Sequence, residues 1–451
     1  MVPFDWRVAN ITPIFKKGAK KDPANYRPVS LTSQVVKIFE RLIKAKIMNF
    51  LEVNLLINNS QHGFRSKRSC LTNLLEFMEI VLNHVDEGRP VDVIFLDFQK
   101  AFDKVPHIRL LEKIKAHGIR GDVLRWIEKW LTGRQQRVEI NGQQSGWKDV
   151  TSGVPQGSVL GPILFIIYIN DLDDGIKSDL LKFADDVKLI GNNDSIDQGS
   201  HLRTDLQRLE GWADKWQMRF NVEKCKVMNI GVKNRCEGYL LDGLPLGTIS
   251  EEKDLGVIVC KDLKVGRQCF KAAAKGNQVL GMIRRTFTNR SMSIMIPLYK
   301  SLVRPHLDYC VQAWRPHLLK DIKVLEKVQR RATRFVEECE GRSYEERLRE
   351  AGLTTLETRR IRADLVEVFK ILGGWEGTEE GRFFQRRVGS TRGHELKLYR
   401  KQVRLDAGKF SFGNRVCEEW NKLPGWIVSA KNVNEFKGRL DHHLRDYRGF
   451  K

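Results

Sequence analysis

The sequence predicts an α+β fold, a small antiparallel sheet set within a largely helical chain. Three observations predict it. Residues 91–96, Val-Asp-Val-Ile-Phe-Leu, form a short apolar, β-branched run that ends in Asp97. Residues 180–189 read as strand, turn and strand, with the adjacent pair Asp185-Asp186 set among Leu180, Leu181, Phe183 and Leu189. From about Lys264 onward the apolar spacing becomes helical.

The elements follow in order. Val35, Ile38, Phe39, Leu42, Ile43, Ile47 and Phe50 recur at helical spacing, and Leu71, Leu74, Leu75, Met78, Val81, Leu82 and Val85 do so again. Both stripes read as core. Between them lies a polar, basic loop, Phe64-Arg-Ser-Lys-Arg68, bounded by Gly63. After the 91–96 strand come helical stretches ending near Trp130, then a hairpin with Gln136 to Ile140 as one strand and Asn141-Gly142 as a type I′ turn. A glycine-punctuated loop follows, Thr151-Ser-Gly-Val-Pro-Gln-Gly-Ser-Val-Leu-Gly-Pro162, leading into the apolar run Ile163-Leu-Phe-Ile-Ile-Tyr-Ile169. Glycines there let the backbone approach a ligand closely, and Gln156 offers an amide mid-loop. After the Asp-Asp hairpin, Leu202, Leu206, Leu209, Ala213 and Trp216 mark an amphipathic helix running towards Lys224. Ile322, Leu325, Val328, Ala332 and Phe335 give a later helix its apolar face, and Lys320, Lys323, Lys327, Arg330, Arg331 and Arg334 load the remainder. Gly373, Gly374, Gly377 and Gly381 interrupt the helical pattern and read as a linker. The tail beyond mixes basic residues with Phe384, Tyr399, Phe410, Phe412, Trp420 and Trp426.

Composition narrows the function classes. The chain has 451 residues and a formal net charge of +22, enough for about three domains and suited to a polyanionic partner. The excess is concentrated late: residues 381–451 hold 17 Lys and Arg against 7 Asp and Glu. The eight cysteines are scattered without Cys-x-x-Cys spacing, which points to reduced thiols and away from a zinc knuckle. The longest apolar stretch, Val159 to Ile169, is too short to cross a bilayer and contains Gly161 and Pro162.

The carboxylates carry the chemistry. Adjacent aspartates in apolar surroundings repel each other, and a divalent cation removes that repulsion. Two strands that each deliver carboxylate at one end, Asp97 on one and Asp185-Asp186 on the other, are what two-metal phosphoryl transfer needs.

The order of carboxylate strand, Pro-Gln-Gly loop with helix, and Ala-Asp-Asp hairpin resembles the palm motifs A, B and C of reverse transcriptases. Tyr26-Arg-Pro-Val-Ser-Leu31, Gln61-His-Gly-Phe-Arg65, Phe220-Asn-Val-Glu-Lys-Cys225 and Asp254-Leu-Gly-Val257 follow the order found in LINE-type (non-LTR) retrotransposons. Residues 298–314, Gln329-Arg-Arg-Ala-Thr333 and the 414–424 segment are similar to the jockey and chicken-repeat branch. The resemblance runs from Val2 to about Leu444. It implies a right-hand polymerase: fingers at 1–89, a palm with antiparallel sheet and the catalytic motifs at 90–263, a helical thumb at 264–372, and a linker with a small basic C-terminal region at 373–451.

It also implies roles. Asp97, Asp185 and Asp186 become the catalytic carboxylates and, with the carbonyl of Phe98, the ligands of two Mg²⁺ ions, for which Mn²⁺ is a substitute. Asp103 is read as structural. Gln156 and Gly157 would position nucleotide or template, and Lys224 would stand near the leaving pyrophosphate. Phe102, five residues after Asp97, would sit beneath the incoming sugar. Arg65, with Lys67 and Arg68 behind it, would hold the triphosphate, since guanidinium forks suit phosphate oxygens. Leu255 to Val259 resembles the strand that grips the primer end. Lys320, Lys323, Lys327, Arg330, Arg331 and Arg334 would track the duplex backbone, and the tail would bind RNA or DNA. The implied partners are an RNA template, a DNA primer or target DNA, and deoxynucleoside triphosphates, with no membrane, in a ribonucleoprotein that is nuclear, cytoplasmic or both, and not secreted. By the same resemblance, the endonuclease that precedes the polymerase in full-length relatives, and the earliest finger segment, are expected to be missing from this chain. Two functions therefore stay open: an RNA-directed DNA polymerase, or a catalytically inert nucleic-acid-binding remnant of an element.

Overall fold

The computed structural model describes residues 2–192, 196–387 and 393–447. They divide into two compact units, each described by itself. The first comprises residues 1–65, 92–227 and 236–248, the second 66–91, 228–235 and 249–451.

The first unit is built around two sheets. In one, Val8–Phe15 pairs antiparallel with Tyr26–Leu31 and parallel with Arg134–Ile140. The expected type I′ turn is present: Asn141 and Gly142 have φ of 49° and 79°, and Ile140 pairs with Gln143. In the other sheet the spatial order is Gly247–Thr248, Lys226–Ile230, Val91–Leu96, Asp186–Asn192, Asp179–Phe183. Val91–Leu96 is thus central, with nearly every side chain buried, which is why it reads as a continuous apolar run rather than an alternating one. Its C-terminal end delivers Asp97 beside the turn that carries Asp185. The helix Gly161–Tyr168, apolar on all sides and buried except at Pro162, belongs to the core. Leu202, Leu206, Leu209 and Ala213 of the helix Ile196–Trp216 pack against the same core, as their spacing requires.

The helix Gln34–Val53 corrects an expectation. Val36, Ile47 and Leu51 are its buried apolar positions, whereas Val35, Ile38 and Leu42 are 61%, 61% and 63% exposed. The apolar residues surround too much of this helix for spacing to choose the inward face. Glu40 chose it: the N–H groups of Val159 and Leu160 donate to its Oε2 at 2.6 and 3.2 Å. That anchors the helix to the start of Gly161–Tyr168, whose first N–H groups lack helical partners.

The second unit is largely helical. The 71–85 stripe is core as expected: in the helix Cys70–Asp86, Leu74 joins one apolar cluster and Leu75 a second. The first cluster holds Ala272, Leu280, Leu325, Val328 and Ala332, so the helices Gly266–Thr286 and Leu319–Arg334 pack through it. Close approach is possible because Gly276 faces Val328 and Leu307, where a Cβ would sit only 3.2–3.3 Å away. The second cluster unites Ile361, Leu365 and Phe369 with Phe383, Phe412, Trp420 and Phe436. The aromatics of the tail are therefore mostly core, packed on the helix Leu356–Leu372, while Tyr399 and Trp426 remain exposed. Leu255 and Gly256, both at positive φ, form the turn of a hairpin between Glu251–Asp254 and Val257–Cys260, so the strand expected from Leu255 starts two residues later.

One buried acid sets a pH dependence. Glu79 lies within the helix Cys70–Asp86, and burial pushes its carboxyl up to about 7, against the pull of Lys401 at 3.7 Å. The folded state then holds this proton more tightly than the unfolded chain, whose glutamate titrates at its ordinary 4.5. The stability attached to Glu79 is full below pH 4.5, declines between 4.5 and 7, and is gone above 7. Glu79→Gln should raise the thermal midpoint at pH 8 by a few degrees, roughly 1–3 kcal/mol, and leave it unchanged near pH 4.5. Thermal melts at the two pH values check this.

All eight cysteines are free thiols. No helix among the described residues is long and apolar enough to cross a membrane.

Candidate active site

A cleft of about 1510 Å³ opens in the first unit, and most of the residues singled out in its sequence line it. Asp97 follows the last residue of the central strand. Its carbonyl accepts from Asn221 N–H at 2.7 Å, and Phe98 stacks on Phe220 with ring centroids 4.5 Å apart. These contacts fasten the 220–225 turn beside the carboxylate. From that turn Lys224 Nζ reaches Asp97 Oδ2 at 2.9 Å.

Asp185 is the second central residue of the hairpin turn between Asp179–Phe183 and Asp186–Asn192. Burial pushes its carboxyl up, and the negative charge of Asp97 pushes it further, while Arg27 and Lys224 pull it down. The two carboxylates thus line one cleft and repel each other in partly dry surroundings, the situation a cation would relieve. Asp186 opens the next strand, more exposed but in the same cleft lining. Among the described residues no three acid, histidine or cysteine side chains form a ready metal cluster. The donor set is Asp97 and Asp185, with Asp186 in the same cleft lining.

The loop between Thr151 and Pro162 folds back on the residues after Asp97. Gln156 Nε2 donates to Asp103 Oδ1 at 3.0 Å, and Val154 N–H donates to the Phe102 carbonyl at 2.7 Å. Asp103, its carboxyl pushed up by burial, is tied to this loop. Gly157 has φ of 109°, and a Cβ there would lie 2.6 Å from the Ser30 carbonyl oxygen, so no other residue fits. Phe102 stacks on Phe165 at 4.4 Å and meets the edge of Phe64 at 6.4 Å, leaving one side towards the cleft.

Arg65 is placed elsewhere. It does not line the cleft: its guanidinium forks onto Glu52 at 2.7 and 3.1 Å and donates to the Asn58 carbonyl, with its side chain nearly buried. Lys67 and Arg68 fall in the second unit, where Lys67 Nζ donates to the Gly374 carbonyl and Arg68 pairs with Glu76. The cations that do line the cleft are Lys16, Lys20, Lys21, Arg27, Lys100 and Lys104, besides Lys224. Sequence reasoning missed them. A signal was available in the lysine run 16–21, lying between two strands that pair antiparallel. In the second unit Lys320, Lys323, Lys327, Arg330, Arg331 and Arg334 share the exposed side of one helix, with Arg330 over the Tyr344 ring and Arg331 donating to Asn277.

Residues 16–282 match the reverse transcriptase (RNA-dependent DNA polymerase) family, a span that contains every residue of this cleft from Lys16 onward, Asp97 and Asp185 included. The chain belongs to the reverse transcriptase family. Among curated proteins it is similar to the probable RNA-directed DNA polymerase from transposon X-element of Drosophila melanogaster, 29% identical over 75% of this chain and 38% of the relative. The RNA-directed DNA polymerase from mobile element jockey of the same fly is 31% identical over 72% of this chain and 37% of the relative. These are the non-LTR relatives, jockey among them, to which the motifs pointed. The chain spans a little over a third of the length of either. Among solved structures, a telomerase of Candida tropicalis in complex with a fragment of telomeric RNA aligns with a TM-score of 0.48 at 12% identity, over 84% of this chain and 60% of that one. The α+β fold expected from the sequence is present, with its central strand, acid-bearing hairpin and buried helix.

Proposed function

We propose that this chain is an RNA-directed DNA polymerase core that extends a DNA primer on an RNA template. The observation that carries the reading is that Asp97 and Asp185, close enough to feel each other's charge, line one cleft together with Lys16, Arg27, Lys100 and Lys224. Carboxylates alone would repel a nucleoside triphosphate and lysines alone would merely bind it. The combination suits binding of a triphosphate with its cations.

Asp97 and Asp185, with Asp186 beside them and the Phe98 carbonyl, would hold the divalent ions, Mg²⁺ in the first instance. When bound, such ions acidify the primer 3′-hydroxyl and offset charge on the triphosphate. The hydroxyl oxygen bonds to the α-phosphorus as the bond to the bridging oxygen breaks, and pyrophosphate leaves in line. Lys16, Arg27 and Lys100 would grip phosphate oxygens, Arg27 as a planar fork. Lys224 neutralises Asp97 and supplies an ammonium on the pyrophosphate side. Gln156 braces the loop under the nucleotide through Asp103. The regions 1–89, 90–263 and 264–372 would act as fingers, palm and thumb, with residues 373–451 adding nucleic-acid contact.

Primer extension by the purified chain on an RNA template with Mg²⁺ tests this. Template-dependent incorporation of deoxynucleotides supports the reading. Duplex binding without any incorporation favours the inert binding remnant instead.

The exposed basic side of the helix Leu319–Arg334 gives a second expectation. If it tracks a duplex backbone, Arg330, Arg331 and Arg334 changed together to Gln should weaken primer–template binding at every sequence. The log–log salt slope should flatten by about one unit for each phosphate no longer neutralised. Titrations at several salt concentrations measure it, and an unchanged slope returns the helix to ordinary solvated surface.

A further inference from the structure

The turn that carries Asp185 is held in a conformation it would not choose alone. Phe183 pairs with Asp186, so Ala184 and Asp185 are the two central residues of a tight hairpin. Ala184 has φ of 55°, whereas Asp185 is outside the left-handed region. In two-residue hairpins that pattern normally has glycine in the first central position. An alanine stays there only when its surroundings over-determine it.

Those surroundings come from residues 60–63. Gln61 is wholly buried, and its Oε1 accepts two backbone N–H groups, Ala184 at 3.0 Å and Gly63 at 2.8 Å. Its Nε2 has no hydrogen-bond partner among the described residues, so the use of this amide lies in its oxygen. The segment is itself stitched to the first strand of the hairpin: Lys182 N–H donates to the Ser60 carbonyl and His62 N–H to the Lys182 carbonyl, each at 2.8 Å. Beyond it, Gly63 presses on the turn. A Cβ there would come within 2.5 Å of the Ala184 nitrogen, a backbone atom that cannot yield unless the turn moves. A central N–H of a hairpin has no ladder partner, and buried without one it would pull the turn towards another conformation.

We propose that Gln61 is a positioning residue for the polymerase reaction: its amide oxygen, aided by the close approach of Gly63, sets where the hairpin turn carries Asp185 relative to Asp97. This rests on the reading of those two aspartates as the cation-holding pair.

Two variants test it by different routes. Gln61→Met keeps the length and removes the acceptor, and Gly63→Ala keeps the acceptor and pushes the turn. Each should lower kcat for single-nucleotide primer extension at least tenfold and weaken Mn²⁺ binding, followed by electron paramagnetic resonance, several-fold. Primer–template Kd should stay within about twofold of wild type. Amide hydrogen exchange in the 183–187 peptide should speed up in Gln61→Met while the peptide covering 163–169 keeps its protection. Gln61→Glu, which retains an oxygen for both N–H groups, should hold exchange in the 183–187 peptide at the wild-type rate. Wild-type Mn²⁺ affinity in both Gln61→Met and Gly63→Ala overturns the proposal. So does equal loss of protection in Gln61→Met and Gln61→Glu, or protection lost throughout the first unit, which would make Gln61 a general core residue. If the wild-type chain extends no primer, the polymerase reading fails while the exchange and Mn²⁺ measurements still decide the role of Gln61.

Discussion

Asp185→Asn should abolish primer extension, with a loss on the order of 10³-fold or more in kcat/KM, equivalent to ~4 kcal/mol of transition-state stabilisation. Asp97→Asn should do the same. The substitution removes one negative charge and leaves the shape of the side chain, so the fold has no reason to respond. In this chain it even relieves a tension, because Asp185 sits partly buried against the charge of Asp97. The folded protein should therefore be as stable as wild type or slightly more so while its chemistry fails. That opposition separates a catalytic carboxylate from a structural one. Single-nucleotide extension kinetics on an RNA template, run beside thermal melts, measure both. Equal residual extension by wild type and Asp185→Asn would mean that the site lies elsewhere.

Phe102→Val should change which sugar is accepted. The ring of Phe102 is stacked on Phe165 and in T-shaped contact with Phe64, which holds it beside the cleft. A ribonucleotide placed over it would meet the ring with its 2′-hydroxyl, and the polymerase would reject it by clash rather than by a missing hydrogen bond. Overpacking of this kind costs about 1–3 kcal/mol, so removing the ring should raise ribonucleotide incorporation relative to deoxynucleotide by roughly 10- to 100-fold. Deoxynucleotide use should fall much less. The variant leaves Phe165 with a gap, and a loss of about 1–3 kcal/mol in stability should accompany the change in selectivity. Competition between the two nucleotide types at a single template position gives the ratio directly. Equal losses for both types, with the ratio unchanged, would make Phe102 a core residue only.

The carboxylate-bearing cleft of this protein is written in its local sequence. Asp97 after a β-branched run, Gln156 in a glycine-punctuated loop and Asp185-Asp186 at a tight turn are local signals, each carried by a few consecutive residues. Their order along the chain is a signature of the family. The helix Cys70–Asp86, the Asn141-Gly142 turn and the inward face of Leu202 to Ala213 were legible for the same reason, since a strong period or turn chemistry decides them within one element. Which cations meet the carboxylates is settled by the packing of distant segments. Arg65 reads as a phosphate ligand until Glu52, thirteen residues away on another element, is seen to occupy its guanidinium, whereas Arg27 and Lys16 enter the cleft because one strand pairing brings them there. Packing, likewise, turned Val35, Ile38 and Leu42 outward, because Glu40 had to reach the unsatisfied N–H groups of Val159 and Leu160. A side chain's polar partner is set by contacts between distant segments, and neither periodicity nor composition along one segment encodes that distance.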